Sequence, residues 1–326
     1  MKLCLIIVFN HRFDRNLPRL RDYYAGRFSR IFFLMPFADD LETIEEDVIS
    51  VHHGSYLFQG FFGEARKRLA DVACDGYVVI GDDLLLNPTL SESNLHEKMG
   101  IKPTDGYTKS LASLYDAPLS WSRVRTTFRA FFPDGLEWHR LLPSREEAME
   151  KSKHYGITHR MLGWRNIPSP FSRTGLSSMG TALAWFAERN HARRLFAFGK
   201  AEVPYPAFYG YSDFLIIPAA AWDAFGRYCE ATAAMQLFVE AALPLAMVLA
   251  CDHVETELAY GTLFDAPSPV RRLPMKGVEL QWNDHDRQDF ETRYDLSLTR
   301  LIREFPDDVL YFHPVKLSKW KQDPSN

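Results

Sequence analysis

Four short apolar runs, spaced by helical or turn segments, occupy residues 1 to about 90, and this alternation constrains the fold more than any other feature. Lys2–Phe9 reads as a strand ending in the polar turn Asn10-His11-Arg12. Leu17–Phe28 has helical spacing, with Leu17, Leu20, Tyr24 and Phe28 on roughly one face. Arg30–Met35 and Val48–His52 read as the second and third strands. Gly54 and an aromatic loop, Tyr56–Phe62, lead to a short helix, Glu64–Ala73, and Tyr77–Ile80 is the fourth strand. This order predicts an α/β fold: a mostly parallel central sheet flanked by helices and built from right-handed crossovers. No G-x-G-x-x-G follows the first strand and no G-x-x-x-x-G-K occurs, so the usual dinucleotide and P-loop fingerprints are absent.

The fourth run has a distinctive exit. It is β-branched and apolar, as a strand buried on both faces should be, and it runs straight into Asp82 and Asp83. A second apolar run, Leu84 to Leu86, and an Asn-Pro stop follow. Ligands of open α/β sheets bind outside the carboxyl ends of the strands. Two adjacent carboxylates there repel each other unless a cation or a proton lies between them. A solvated strand-to-turn corner is the ordinary explanation of a bare Asp-Asp pair. The case for a site comes from the remainder of the chain.

From about Leu90 to Gly180 the pattern is less regular, with helical stretches at Trp121–Phe132 and Arg145–Tyr155 and a Pro/Ser/Gly-rich loop starting at Ile167. Thr181–Arg194 reads as a helix with a basic last turn. Tyr209 to Asp213 then leads into a buried strand, Phe214–Pro218, followed by helices at Ala220–Ala231 and Met235–Ala250. The second of these carries Glu240 among apolar residues. Burial of an ionised carboxylate is costly without a partner, so its pKa should rise, as a general base requires. A structural ion pair is the alternative. The last unit is a short strand, Asp308–Phe312, ending in His313-Pro-Val-Lys316. An imidazole and an ammonium three residues apart can converge on one small anionic object, the first as a metal ligand and the second as a phosphate binder. A surface histidine beside a basic tail is the plainer reading.

Composition closes off several classes. The net charge is −4 and the pI about 6.3, so nothing drives the chain toward nucleic acid. The four cysteines, Cys4, Cys74, Cys229 and Cys251, show neither metal spacing nor a disulfide framework, which points to a reducing, cytoplasmic setting. The longest apolar run, Ala233 to Cys251, contains Gln236, Glu240 and Pro244. As a membrane span it would bury a carboxylate at a cost of roughly 2.5–3.5 kcal/mol, so a core helix is expected. No transmembrane segment is expected; peripheral membrane association and oligomeric state stay open. The chain is long enough for one compact unit with three parts: an alternating strand–helix part (1–90), a helical or irregular insertion (91–200), and a later part with a closing segment (201–326).

Taken together, the Gly81-Asp82-Asp83 motif at the end of the fourth strand, a helix glutamate in the later half and the C-terminal His313 and Lys316 resemble the GT-A-fold glycosyltransferases. In that family, fourth-strand acids (D-x-D and variants) hold a divalent metal on the diphosphate of a sugar nucleotide. Some members also carry a C-terminal H-x-x-G-x-x-K, whose His completes the metal shell and whose Lys contacts phosphate. This chain has D-D rather than D-x-D and lacks the Gly before Lys316. The resemblance covers the order of parts, and it implies a GT-A-like fold in which 1–90 is the nucleotide-binding half, 91–200 an acceptor-side insertion and 201–326 the acceptor half with its closing segment. It further implies Mn2+ or Mg2+ on Asp82, Asp83 and His313, with a nucleoside diphosphate sugar as donor and a glycan or other hydroxyl as acceptor, as in polysaccharide biosynthesis. Glu240 is then the first choice of base and Asp213 the second. Phe9, Asn10, His11 and Arg12 would lie at the nucleotide, with Arg66 and Lys316 toward the diphosphate. A solvated helix charge is the simpler account of Arg66. Two other functions fit the same residues: a non-catalytic GT-A-like binding or scaffold protein, and a metal-dependent nucleotidyltransferase or hydrolase.

Overall fold

The computed structural model describes residues 1–43, 45–117, 121–131, 140–162, 203–261, 273–280 and 284–321, with the single residues 137 and 166. The expected helix Thr181–Arg194 and the loop beginning at Ile167 lie outside them. Twelve strands occur among the described residues: β1 (Leu3–Val8), β2 (Arg30–Pro36), β3 (Val48–Val51), β4 (Gly76–Gly81), β5 (Leu85–Leu86), β6 (Gly106–Thr108), β7 (Leu111–Ser113), β8 (Phe208–Gly210), β9 (Phe214–Pro218), β10 (Val254–Thr256), β11 (Lys276–Glu279) and β12 (Val309–His313).

Seven of these make the central sheet, in the order β10-β6-β9-β4-β1-β2-β3. β4 pairs parallel with β1, which pairs parallel with β2, and β2 with β3; β9 alone runs antiparallel, between β4 and β6, and β10 is parallel to β6. Six strands therefore point their carboxyl ends to one edge. β4 is interior, and every residue of β1 and β4 is buried. That is why both runs are apolar without alternation: each face of the sheet meets a separate core. Cys4, Ile6, Val8, Tyr77 and Val79 point into one core, and Leu3, Leu5, Ile7, Val78 and Ile80 into the other.

The first core is closed by three helices, Gln59–Ala70, Ala219–Ala234 and Val239–Ala250. The helix expected at Glu64–Ala73 starts five residues earlier and absorbs half of the aromatic loop. Phe61, Phe62, Ala65 and Leu69 fall at helical spacing and are all buried, so burial of that stripe favours extending the helix over leaving a loop. Met235–Ala250, in contrast, starts only at Val239. Gln236 adopts a positive φ of 57°, which breaks the chain between the two helices. The second core is covered by Leu17–Tyr24, Leu95–Met99 and Leu298–Arg303, and by a small sheet ordered β11-β12-β5. The described part of the insertion includes the helices Ser122–Ala130 and Arg145–His154. His159 fastens the second of these to β7, with Nδ1 at 2.9 Å from Ser113 Oγ and Nε2 at 2.7 Å from Ser152 Oγ. No helix among the described residues is long and apolar enough to cross a membrane.

A candidate active site at the carboxyl edge of the sheet

The small sheet explains how the Asp82-Asp83 turn and the segment after β12 meet. β5 leaves the Asp82-Asp83 turn immediately and pairs antiparallel with β12, Leu86 opposite Tyr311 and Leu85 opposite Phe312. Continuing that register by one residue brings His313 beside the turn. The backbone N–H of Val315 donates to the Asp83 carbonyl at 2.6 Å, which holds the C-terminal segment there. Asp213 arrives by another path. It precedes the antiparallel β9, and its carbonyl accepts from the Gly81 N–H at 3.1 Å, at the same edge.

Asp83 is buried between two cationic groups. His313 Nε2 lies 3.4 Å from Oδ1, and the Lys316 ammonium pairs with Oδ2. Burial alone would push the Asp83 pKa up, but His313 and Lys316 override it and hold the carboxyl at about 2. Asp82 behaves in the opposite way. Burial and the like charge of Asp83 push it up to about 7, against weaker help from Lys316, the Asn10 backbone N–H and the Asn16 side chain. Neighbouring carboxyls with separated pKa values form a pair able to carry one negative charge and one proton near neutrality.

His313 is itself enclosed. Its Nδ1 lies 2.8 Å from Glu279 Oε2, its strand partner in β11, and 2.9 Å from the Tyr211 hydroxyl. Burial opposes its charge, yet Asp83, Glu279 and Asp213 raise its pKa to about 10. Glu279 is stabilised as the anion, near 2 despite burial, by His313 and Lys109. The Lys109 ammonium is 3.1 Å from Glu279 Oε1 and lies over the Tyr211 and Tyr311 rings. Glu279, Lys109, Tyr211 and Asn16 were not expected from the sequence. The one hint was a glutamate inside the short run Lys276 to Leu280, where a strand would point it inward.

Asp83, Asp82 and His313 offer the oxygen and nitrogen donor types that could hold a divalent cation. Asp83 Oδ1 is buried and accepts no hydrogen bond. Glu279 holds the imidazole from its far nitrogen and leaves Nε2 facing Asp83; to ligate a cation that nitrogen would first give up its proton.

Compared with known proteins, the chain matches no family model and no curated protein. The arrangement of side chains therefore carries the functional argument.

The remaining expected residues divide. Asn10 sits at the acids through its backbone N–H. Phe9 is a correction: its ring is wholly buried against Phe33, 6.2 Å between centroids, so it has no free face for a nucleotide base. His11 is exposed at the edge of Phe13, and Arg12 is exposed with its guanidinium 2.6 Å from Asp40. Arg66 is the second correction. It points into the helical layer, where it pairs with Asp223 at 2.6 Å and its stem packs against Gly226. The solvated helix charge does not describe it either, because the side chain is largely buried and ion-paired.

Glu240 opens the helix Val239–Ala250. Burial and the Asp213 charge push its pKa up to about 7, with Arg123 pulling the other way. Arg123 stacks on the rings of Phe238 and Tyr56, 4.4 and 5.1 Å from their centroids. Gly210 permits this helix to approach β8, because a Cβ there would stand 2.9 Å from the Pro244 ring. Asp213 is also raised, by burial first and by Asp83 and Glu279, against His313. The edge thus joins an acid pair, cationic groups facing it and two carboxyls with raised pKa values.

A second cluster with metal-ligand chemistry lies elsewhere. Asp105, His253 and Glu255 bring one ligand atom each within 4.8 Å of one another. Asp105 and His253 precede β6 and β10, which run parallel to β4, so this cluster is at the amino edge of the sheet. The chain thus carries a buried Asp/His/Glu cluster suited to a divalent cation, on a mostly parallel α/β sheet.

Proposed function

We infer that the protein is a metal-dependent glycosyltransferase that moves a sugar from a nucleoside diphosphate sugar to a hydroxyl acceptor, such as a glycan, in the cytoplasm. The observation that carries this reading is the convergence of His313 and Lys316 on Asp83. It joins a strand-end acid pair to two cationic groups from a segment more than two hundred residues away, as diphosphate binding requires. Mn2+ or Mg2+ held by Asp83, His313 and Asp82 would neutralise charge on the departing diphosphate. Lys316, half-exposed, would exchange its Asp83 contact for a phosphate oxygen and act there as a point charge. The acceptor oxygen bonds to the anomeric carbon as the sugar–phosphate bond breaks, and the acceptor proton passes to Glu240, with Asp213 as the second choice. Asn10 and His11 border the nucleotide.

Calorimetry with UDP and GDP, with and without Mn2+, tests the reading. Binding should require the metal, and Lys316→Ala and His313→Ala should each weaken it by roughly 1.5–3 kcal/mol. Nucleotide affinity equal to wild type in both variants would remove the C-terminal turn from the site. The pH profile gives an independent check on the base. Because Glu240 must be ionised to accept a proton and its pKa is raised, kcat/KM should fall as pH drops through about 7. Glu240→Gln should abolish most of the activity and remove the Glu240 share of that limb; an activity and acid limb unchanged in this variant would take the base role away from Glu240 and leave the limb to Asp82 or Asp213, whose pKa values are also raised.

The Lys316–Asp83 ion pair favours a second reading, a GT-A-like binding scaffold whose acids are neutralised internally. Nucleotide binding without turnover of any sugar nucleotide would select it.

A further inference from the structure

The cluster at the amino edge of the sheet has no part in the chemistry above. Asp105 and Glu255 are buried, and their carboxylates converge with His253 on one small volume. Among the described residues no Lys or Arg pairs with Asp105; its hydrogen-bonding partner is the Thr104 hydroxyl at 3.4 Å. Two carboxylates and an imidazole converging on one small volume are the donor types that hold a divalent cation.

Nitrogen donors surround the same volume. His253 Nε2 is 3.2 Å from Glu255 Oε1, and its Nδ1 is 3.2 Å from His154 Nε2, at the end of the helix Arg145–His154. His96 is buried nearby, with neither ring nitrogen hydrogen-bonded, and Asp105 is the carboxylate that acts on it. An open cavity of about 620 Å³, lined by Glu147, Lys151, Tyr155 and Cys251 among others, has His154, the neighbour of His253, in its wall. At bond lengths of about 2.0–2.2 Å, two ligands of one cation lie no more than about 4.4 Å apart, so the observed spread needs only a slight contraction.

We propose that Asp105, His253 and Glu255 form a second metal site, for a divalent cation of the zinc class, distinct from the acid pair at the opposite edge. Mixed nitrogen and oxygen donors favour Zn2+ over Mg2+ or Ca2+. The cation ties the edge strand β10 to the residue that opens β6, and His154 extends the tie to the helix Arg145–His154. An edge strand of three residues gains a fastening that its few ladder hydrogen bonds do not provide. The proposal is independent of the glycosyl-transfer reading.

The test uses the full chain after chelation. Calorimetry with Zn2+, and with Mg2+ in comparison, should find a Zn2+ site that Mg2+ does not fill, and Zn2+ should raise the thermal unfolding midpoint. Measured in an Asp83→Asn background, which disables the acid-pair site, Asp105→Asn and His253→Ala should each weaken Zn2+ binding at least tenfold. The conservative Asp105→Asn keeps the comparison usable if His253→Ala does not fold. Zn2+ affinity unaffected by Asp105→Asn, or lost in Asp83→Asn instead, would overturn the proposal.

Discussion

Asp83→Asn should lower sugar-nucleotide turnover by on the order of a hundredfold or more, with the fold retained. The side chain is buried against His313 and Lys316, and its pKa near 2 means it is fully ionised at neutral pH. Asparagine keeps the shape and one acceptor oxygen but removes the charge. If this carboxylate anchors the cation that stabilises the departing diphosphate, losing it should cost several kcal/mol of barrier, and each 1.4 kcal/mol is tenfold in rate. His313 keeps Glu279 as a counter-charge in the variant, so no buried imidazolium is stranded. Thermal unfolding serves as the control for folding. Turnover like that of the wild type would reduce the acid pair to a polar corner of the sheet.

Trp222→Ala should cost about 3–5 kcal/mol of stability, read from the midpoint of urea unfolding. Trp222 is 1% exposed and lies in the helix Ala219–Ala234. It stacks on Tyr77 of β4 at 4.1 Å between ring centroids, meets Phe62 edge-on and packs against Phe225. Alanine leaves a cavity between helix and sheet that rigid aromatic neighbours cannot fill. It also removes the indole N–H that donates to the Arg66 carbonyl at 3.2 Å. The loss falls beneath β4, whose carboxyl end carries Asp82 and Asp83, so stability and site geometry should fail together. A change below about 1 kcal/mol would mean that this helical layer does not hold the sheet.

Much of the architecture is legible in the chain because it is local. The all-apolar runs of β1 and β4 announce strands buried on both faces, and the carboxyl end of β4 is where an α/β sheet binds ligands. The acids Asp82 and Asp83 could be picked out on those grounds. Element ends were less legible. The aromatic residues Phe61 and Phe62 suit a loop or a helix equally until Trp222 and Phe225 are set against them. The short strands β6, β10 and β11 have three or four residues each, too few to show a period.

The sequence by itself determined that a mostly parallel α/β sheet would form and that its fourth strand would end in paired carboxylates, since strand periodicity and turn chemistry are properties of neighbouring residues. It also marked Glu240, for its apolar surroundings, and His313, for its place at a strand end beside Lys316, as chemistry-bearing groups. Tertiary structure alone decided which of these meet. The antiparallel pairing of β5 with β12 brings His313 to Asp83, and the parallel pairing of β11 with β12 supplies Glu279 to the far side of the ring. The same packing turns Phe9 into the core and Arg66 toward Asp223, where neither reaches the site. The pKa values follow the same division. Two adjacent aspartates are equivalent in the chain, and only the cations packed against Asp83 hold it low while burial raises its neighbour.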